Sequence, residues 1–420
     1  MGSKEAMEHD ASSLTVPLIV DDENQHAVGC KLEEIESNHD SHRTGSTSFF
    51  KTCFHGLNAL SGVGILSTPY ALASGGWWSL ALLFLIASAA FYSGLLIQRC
   101  MDADSNIRTY PDIGERAFGK KGRLVVSIFM NVELYLVATG FLILEGDNLI
   151  NLFPNMKLEV GGLIIGGKQS FVMLVALIIL PTVWLDNLSL LSYVSASGVL
   201  ASAVTLGSIF WTGAFDGVGF KHKGTPLNWS GIPTAVSLYA FCYCAHPVLL
   251  VCFFLCTFIY ASMAIFGYLM FGSGVQSQIT LNLPTNTLSS RVAIWTTLVN
   301  PISKYALMVT PIVNATKSCF PSHYSKKPYS LIISTTLVVS TVIVALVVPL
   351  FGYLMSLVGA FLSVSASVIL PCLCYLKISG LYRRFGCEMV AIVSIILIGV
   401  AVAIIGTYTS LVQIIGHLQL

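Results

Sequence analysis

Charge is what this chain has least of. Only 10% of its 420 residues are Asp, Glu, Lys or Arg, against 55% hydrophobic residues and a mean hydropathy of +0.77. A soluble domain has about a quarter of its residues charged, so this scarcity excludes one and defines a polytopic membrane protein. With 22 basic and 21 acidic residues the net charge is +1, which offers no field for nucleic acid. Nothing suggests an enzyme either: there is no HExxH and no nucleophile elbow. The eleven cysteines include no CxxC, and most lie in apolar segments as small hydrophobes rather than in a disulfide framework. Cys242/Cys244 and Cys372/Cys374 are the closest approach to ligand pairs. Alternation on a helix points such pairs apart, so no metal site and no cofactor is expected. The stretch from Gly114 to Lys121 imitates a phosphate loop, but Lys121 replaces the required Ser or Thr and no strand precedes it, so the segment TYPDIGERAFGKKGR is expected to be a plain loop between spans.

What is present divides the chain in two. Residues 1–48 hold ten acidic residues against Lys4, Lys31 and Arg43, with scattered Ser and no apolar periodicity, and are expected to form a disordered acidic tail. No basic segment followed by a short apolar core and cleavage site opens the chain, so Phe49 is expected to begin the membrane domain, 49–420. At about 20 residues per crossing, spans fall near 49–74, 77–101, 124–149, 169–185, 188–214, 232–247, 248–271, 291–316, 329–349, 350–376 and 388–412. The reading is all-α, with eleven crossings: a first five-span block over 49–214, a second over 232–376, and an extra span at 388–412.

Basic residues set the orientation. Arg108, Arg116, Lys120, Lys121 and Arg123 follow span two, Lys317, Lys326 and Lys327 follow span eight, and Lys377, Arg383 and Arg384 follow span ten. All fall on one side, which the positive-inside rule makes cytosolic together with the N-terminus. Of three Asn-x-Ser/Thr sites, only Asn228 then lies in a loop open to glycosylation.

Two spans are interrupted. Ser61-Gly62-Val63-Gly64 breaks the first, freeing backbone N–H and C=O groups that lipid cannot satisfy. Cys244-Ala245-His246-Pro247 breaks the sixth, because Pro247 removes a donor and disfavours helix at the residue before it. Breaks that open the two halves at equivalent places point to an inverted-repeat transporter with its substrate site between them.

The segments SFFKTCFHGLNALSGVGILSTPYALASGGW, TYPDIGERAFGKKGR, LYAFCYCAHPV and LVNPISKYALMVTPI resemble the amino acid/auxin permease family, in its vacuolar amino acid transporter branch. The resemblance runs from about Phe49 to the C-terminus. It implies eleven spans in the bacterial leucine-transporter fold and proton-linked movement of amino acids, with the proton gradient as the driving force. The expected partners are therefore an amino acid, protons and the lipid bilayer, and the expected location is the vacuolar or another endomembrane. The sequence departs from the family in one place. Members continue after the His-Pro break with the second half of span six and a basic cytosolic loop, whereas Val248 here runs straight into span seven. This reads as an internal deletion of a dozen or more residues, so an amino-acid sensor or a transport-defective isoform stands as the alternative to a transporter.

An amino acid brings a carboxylate, an ammonium and a side chain. Freed N–H groups at Ser61, Gly62, Val63 and Gly64, at the positive dipole end of the half-helix that follows, suit the carboxylate. Carbonyls near Phe241, Cys242 and Cys244 suit the ammonium, and Phe241 and Tyr243 either wall the pocket or pack. Neutral amino acids are the expected cargo. Charged residues at membrane depth are functional candidates by default. Lys304, near the middle of span eight, is placed to stand in for the ion of sodium-coupled relatives, and Glu133 of span three is either a proton carrier or a fixed partner for Lys304 or a backbone donor. His246 and, behind it, His55 titrate in the range of an acidic compartment. Glu145 and Asp147, near the far end of span three, are expected to be solvated at the interface.

Overall fold

The computed structural model describes residues 63–104, 106–156, 158–160, 163–184, 188–243, 250–318, 327–348, 350–383 and 386–418. The acidic tail and residues 49–62 lie outside them. Among the described residues, eleven principal helices follow in chain order, each matching one expected span: α1 (Gly64–Gly75), α2 (Ser79–Asp102), α3 (Tyr110–Leu152), α4 (Gly167–Trp184), α5 (Leu188–Ala214), α6 (Ile232–Cys242), α7 (Leu250–Phe271), α8 (Leu288–Ser318), α9 (Lys327–Val347), α10 (Phe351–Ser379) and α11 (Cys387–Leu418). The one departure there from the all-α expectation is a short antiparallel hairpin between α3 and α4, β1 (Leu158–Val160) with β2 (Leu163–Ile165).

Among the described residues, seven helices (α2, α3, α4, α7, α9, α10 and α11) are long and apolar enough to cross a membrane. Two others are conspicuously short. At 12 and 11 residues, α1 and α6 reach about 18 Å at 1.5 Å per residue, roughly half of a 30 Å hydrocarbon core. They lie antiparallel against each other. A Cβ on Gly231, just before α6, would stand 2.0 Å from the Ser74 carbonyl near the end of α1, while Gly64 at the start of α1 abuts Cys242 at the end of α6.

The helix contacts repeat when five is added to each helix number. Thus α1 packs on α7 as α6 does on α2, α5 on α8 as α10 on α3, α3 on α9 as α8 on α4, and α5 on α7 as α10 on α2. The contacts α1 with α6, α2 with α7, α3 with α8 and α4 with α9 map onto themselves. With the opposed directions of α1 and α6, this is an inverted five-plus-five repeat. α11 stands outside it, against α6 and α10.

The two ends of the molecule differ in chemistry. At one, Arg99 in the last turn of α2 meets Glu388 in the first turn of α11 at 2.8 Å, Arg116 meets Asp104 at 3.2 Å and Arg123 meets Glu115 at 2.6 Å. Such exposed pairs contribute at most about 1 kcal/mol each. Their value is topological, because they gather the basic segments after spans two and ten at one end. The Asn106 backbone N–H, then the Asn106 side-chain amide and Arg116, hold the Asp104 carboxyl below its usual range. The segment 110–123, expected as a loop, is helical. Thr109 and Asp112 form a reciprocal cap at its start, and Gly119, at φ +70°, turns it into the span.

At the opposite end the α1–α2 turn is stitched to the α5–α6 loop. Trp77 N–H donates to the Thr225 carbonyl (3.1 Å), Trp78 N–H to Pro226 (3.0 Å), Asn228 N–H to Gly75 (3.0 Å), and the Trp77 indole to Lys223 (2.8 Å).

Candidate functional site

The two interrupted spans meet. A Cβ on Gly64 would lie 2.9 Å from Cys242 Sγ and 3.2 Å from Cys242 Cα, so anything larger than hydrogen there requires Cys242 to shift. Val63, Phe241 and Cys242 are buried beside it. Ser61, Gly62, Cys244, His246, Pro247 and His55 lie outside the described residues. The start of α1 has no side-chain cap: the Ser67 and Thr68 hydroxyls donate backward to the Gly64 and Ile65 carbonyls, at 3.0 and 2.9 Å. Among the described residues no side chain takes its first amides, of which Leu66 N–H donates to the Val63 carbonyl at 3.1 Å, and the helix dipole there favours an anion.

The end of α6 is held from α7. Tyr260 Oη donates to the Cys242 carbonyl at 3.3 Å, which leaves that oxygen one lone pair, and Tyr243 Oη donates to Thr257 at 3.1 Å. The Tyr243 ring packs on Phe253 and Tyr260, with centroids 5.3 and 5.6 Å apart. Phe241 packs on α10, where a Cβ on Gly359 would come within 2.9 Å of its Cβ and 1.9 Å of the Ser237 carbonyl. Both aromatics are thus packed against neighbouring helices.

Lys304 is buried in α8 with Cys256 of α7 as a neighbour. Cys256 lies between Phe253 and Tyr260, which both touch Tyr243, so one face of α7 connects the α1–α6 junction to Lys304. Glu133 is buried too, and the group donating to it is Ser363 Oγ of α10, at 2.5 Å. Ser363 closes a π-helical stretch, Val358–Ser363, followed by a second at Ser365–Ile369. Carbonyls loosened there are taken by Tyr110 Oη, 2.6 Å from the Ala366 oxygen, and by Ser93 Oγ, which donates to Ser367. Sequence reasoning missed this segment; the signal was the run Ser363-x-Ser365-x-Ser367 inside an apolar span. π-Helical turns concentrate at functional sites because they re-aim side chains and free backbone groups.

Glu145, expected at the interface, is instead 1% exposed. Asp147 is half-buried, forming a partly exposed ion pair with Lys168 of α4 and accepting from Gln278 Nε2 at 3.0 Å. Sequence could not show the Gln278 contact, because it comes from the α7–α8 connection. Cys372 and Cys374 sit in different buried clusters, the second with Cys100, so they do not converge on a common ligand. An apolar crevice of about 190 Å³ opens between α2, α6, α10 and α11, reaching Tyr243 and Ser363, but its greasy walls do not suit a zwitterion.

The connection from α6 to α7 is too short for another half-helix. Tyr260 and Thr257 reach the end of α6, so that end lies level with the middle of α7. Leu250 opens α7, ten residues before Tyr260 or about 15 Å along the axis. Only six residues separate Tyr243 from Leu250, too few to descend through a second half of span six and return.

A helical membrane protein whose two halves mirror each other, with a broken helix of each half meeting at the centre, has the architecture of a solute carrier. The family described as "Transmembrane amino acid transporter protein" matches residues 45–253 and 247–412, and the chain belongs to it. It is 60% identical over 403 residues to amino acid transporter AVT1I of Arabidopsis thaliana, covering 92% of this chain and all of that one. It is 58% identical over 431 residues to amino acid transporter AVT1J of the same plant, covering 98% of this chain and all of that one. Among solved structures, a substrate-bound, outward-open Na⁺-coupled sialic acid symporter matches at TM-score 0.49 and 12% identity, covering 97% of each chain. Both alignments to the plant transporters are longer than the part of this chain they use, so a dozen or more positions of each have no residue here. The two matched family segments meet and overlap at 247–253, just after Pro247.

Proposed function

We propose that this protein moves neutral amino acids across the vacuolar or another endomembrane by proton-coupled secondary active transport, with its N-terminus in the cytosol. The observation that carries the reading is the meeting of Gly64 with Cys242. It sets an uncapped helix N-terminus against the end of a second half-helix, so that a carboxylate and an ammonium find opposite partners in one dry place. The candidate site comprises Ser61, Gly62, Val63 and Gly64 for the carboxylate and Phe241, Cys242 and Cys244 for the ammonium. Lys304, Glu133 and His246 are the coupling candidates, and a fixed ammonium at Lys304 would make a sodium ion unnecessary. The end of the molecule bearing the Arg99–Glu388 pair is the cytosolic one by charge.

A second reading rests on a specific observation, the missing chain between α6 and α7. A pocket without one of its walls would bind without turning over, as a sensor does, or would not function at all. Uptake of labelled neutral amino acids into acid-loaded proteoliposomes, by this chain and by a version with the absent segment restored after Pro247, decides between them. Proton-dependent uptake by both supports the transporter. Uptake by the restored version alone makes this chain a sensing or defective form, and uptake by neither removes the substrate assignment.

A further inference from the structure

Glu145 presents a chemical problem that the α1–α6 junction does not solve. It is 1% exposed, and neither carboxylate oxygen has a hydrogen-bond partner among the described residues. One turn further along α3, Asn148 donates Nδ2 to the Leu144 carbonyl at 2.9 Å and to Gln278 Oε1 at 2.7 Å, and its Oδ1 is left without a partner. Thr280 Oγ1 is also buried and unpartnered. Three acceptor oxygens thus stand against a single hydroxyl, so donors, not acceptors, are in deficit at this end of α3.

The place is also sealed. Gln278, Ile279 and Thr280 are fully buried, in and beside the turn Ile279–Asn282. Gln278 bridges Asp147 to Asn148, and Asn151 Nδ2 donates to the Thr280 carbonyl at 3.3 Å. The charged and titratable groups on the surrounding elements are engaged elsewhere or at the surface. Lys168 of α4 is paired with Asp147, Arg291 at the head of α8 is exposed, and Tyr353 of α10 bonds to His417. The turn itself carries no charged or titratable side chain.

An ionised carboxylate left dry among acceptors costs several kcal/mol. A proton on it removes the charge and converts one oxygen to a donor, which is the group that is lacking. We propose that Glu145 is a proton-binding residue, buried one turn along α3 from the Asp147–Gln278–Asn148 bridge that closes this end of the helix against the segment of the turn Ile279–Asn282, and that it takes up and releases one proton as that bridge opens and closes. The step is a simple protonation, carboxylate plus hydronium giving carboxylic acid plus water, with no other bond made or broken. It deepens the proton-coupled reading and rests on it for its role in transport, though not for the protonation itself.

The test separates the two. Infrared difference spectra of the purified full-length protein, stepped between acid and neutral pH, are expected to contain a carboxylic-acid carbonyl band that Glu145→Gln removes and Glu145→Asp retains at a shifted position. A spectrum unchanged by Glu145→Gln overturns the proposal. In proteoliposomes, Glu145→Gln is expected to keep amino acid exchange at equal pH while losing accumulation driven by a pH gradient. If it accumulates as the parent does, the Glu145 proposal falls and the proton-coupled reading stands. If the band behaves as expected but the parent shows no gradient-driven uptake, the site stands and that reading falls. Should Glu145→Gln not fold, Gln278→Leu, which loosens the seal and leaves the carboxyl in place, is expected to speed hydrogen–deuterium exchange of the same band, and an unchanged exchange rate overturns the proposal.

Discussion

At the scale of single residues, the molecule depends on what is small and what is paired. Gly64 has Cys242 Sγ and backbone within 3.2 Å of where a Cβ would sit. Gly64→Ala should therefore push on a side chain that can yield, while Gly64→Val should force the two half-helices apart at about 1–3 kcal/mol. The check is thermal unfolding in detergent beside amino acid binding: binding is expected to fall in both and to vanish in the valine variant. Glu133 gives a cleaner contrast. Gln at that position still accepts from Ser363, so Glu133→Gln should melt near the parent, whereas Glu133→Ala leaves the serine unpaired and should lose about 1–3 kcal/mol. An unaltered pH profile of transport in Glu133→Gln would end its candidacy as proton carrier. Gly64 was legible in the sequence because a glycine cluster inside an apolar run gives up backbone hydrogen bonds that lipid cannot replace, which marks a break. The burial of Glu145 was not, because this end of α3 is closed through Asn148 and Gln278, which lie more than a hundred residues apart in the chain.

At the scale of elements, the helices were the readable part. Twenty apolar residues are needed to cross a bilayer whatever the fold, which is why the expected spans and α2 to α11 coincide to within a few residues at most ends. The segment after span two was misjudged for its charge. Its Thr109-Tyr-Pro-Asp112 start is a capping pattern with Pro inside the first turn, and that local signal outweighed the polar composition. The π-helical stretches of α10 left only the alternating Ser363, Ser365 and Ser367 as a local trace, and they lie where α10 meets α6 and α3. Gly359 is the contact that makes this crossing possible. Gly359→Val would set side-chain carbon against the Ser237 carbonyl, which is backbone and cannot rotate away. Loss of folded protein on size-exclusion chromatography is expected for it. Gly207→Ala in α5, where nothing lies within 4 Å, should elute as the parent does.

At the scale of the whole molecule, the mirrored contacts and the charged end make a prediction about sidedness. Cys387 is exposed beside the Arg99–Glu388 pair. In a background with the other cysteines replaced, Cys387 and a cysteine at Lys121 should react with an impermeant maleimide from the same face of a sealed vesicle. A cysteine at Trp229 should react only from the other, and labelling of all three from one face would overturn the topology. The stitched turn at that second face has a consequence of its own. The α1–α2 turn and the α5–α6 loop share four main-chain and indole hydrogen bonds, so a local fluctuation that frees one strand must release both. Their amides should exchange with solvent as one cooperative unit, with Trp77, Trp78 and Asn228 sharing a single opening free energy. Any rocking of one half of the protein against the other must then swing about this seam or rupture all of it at once.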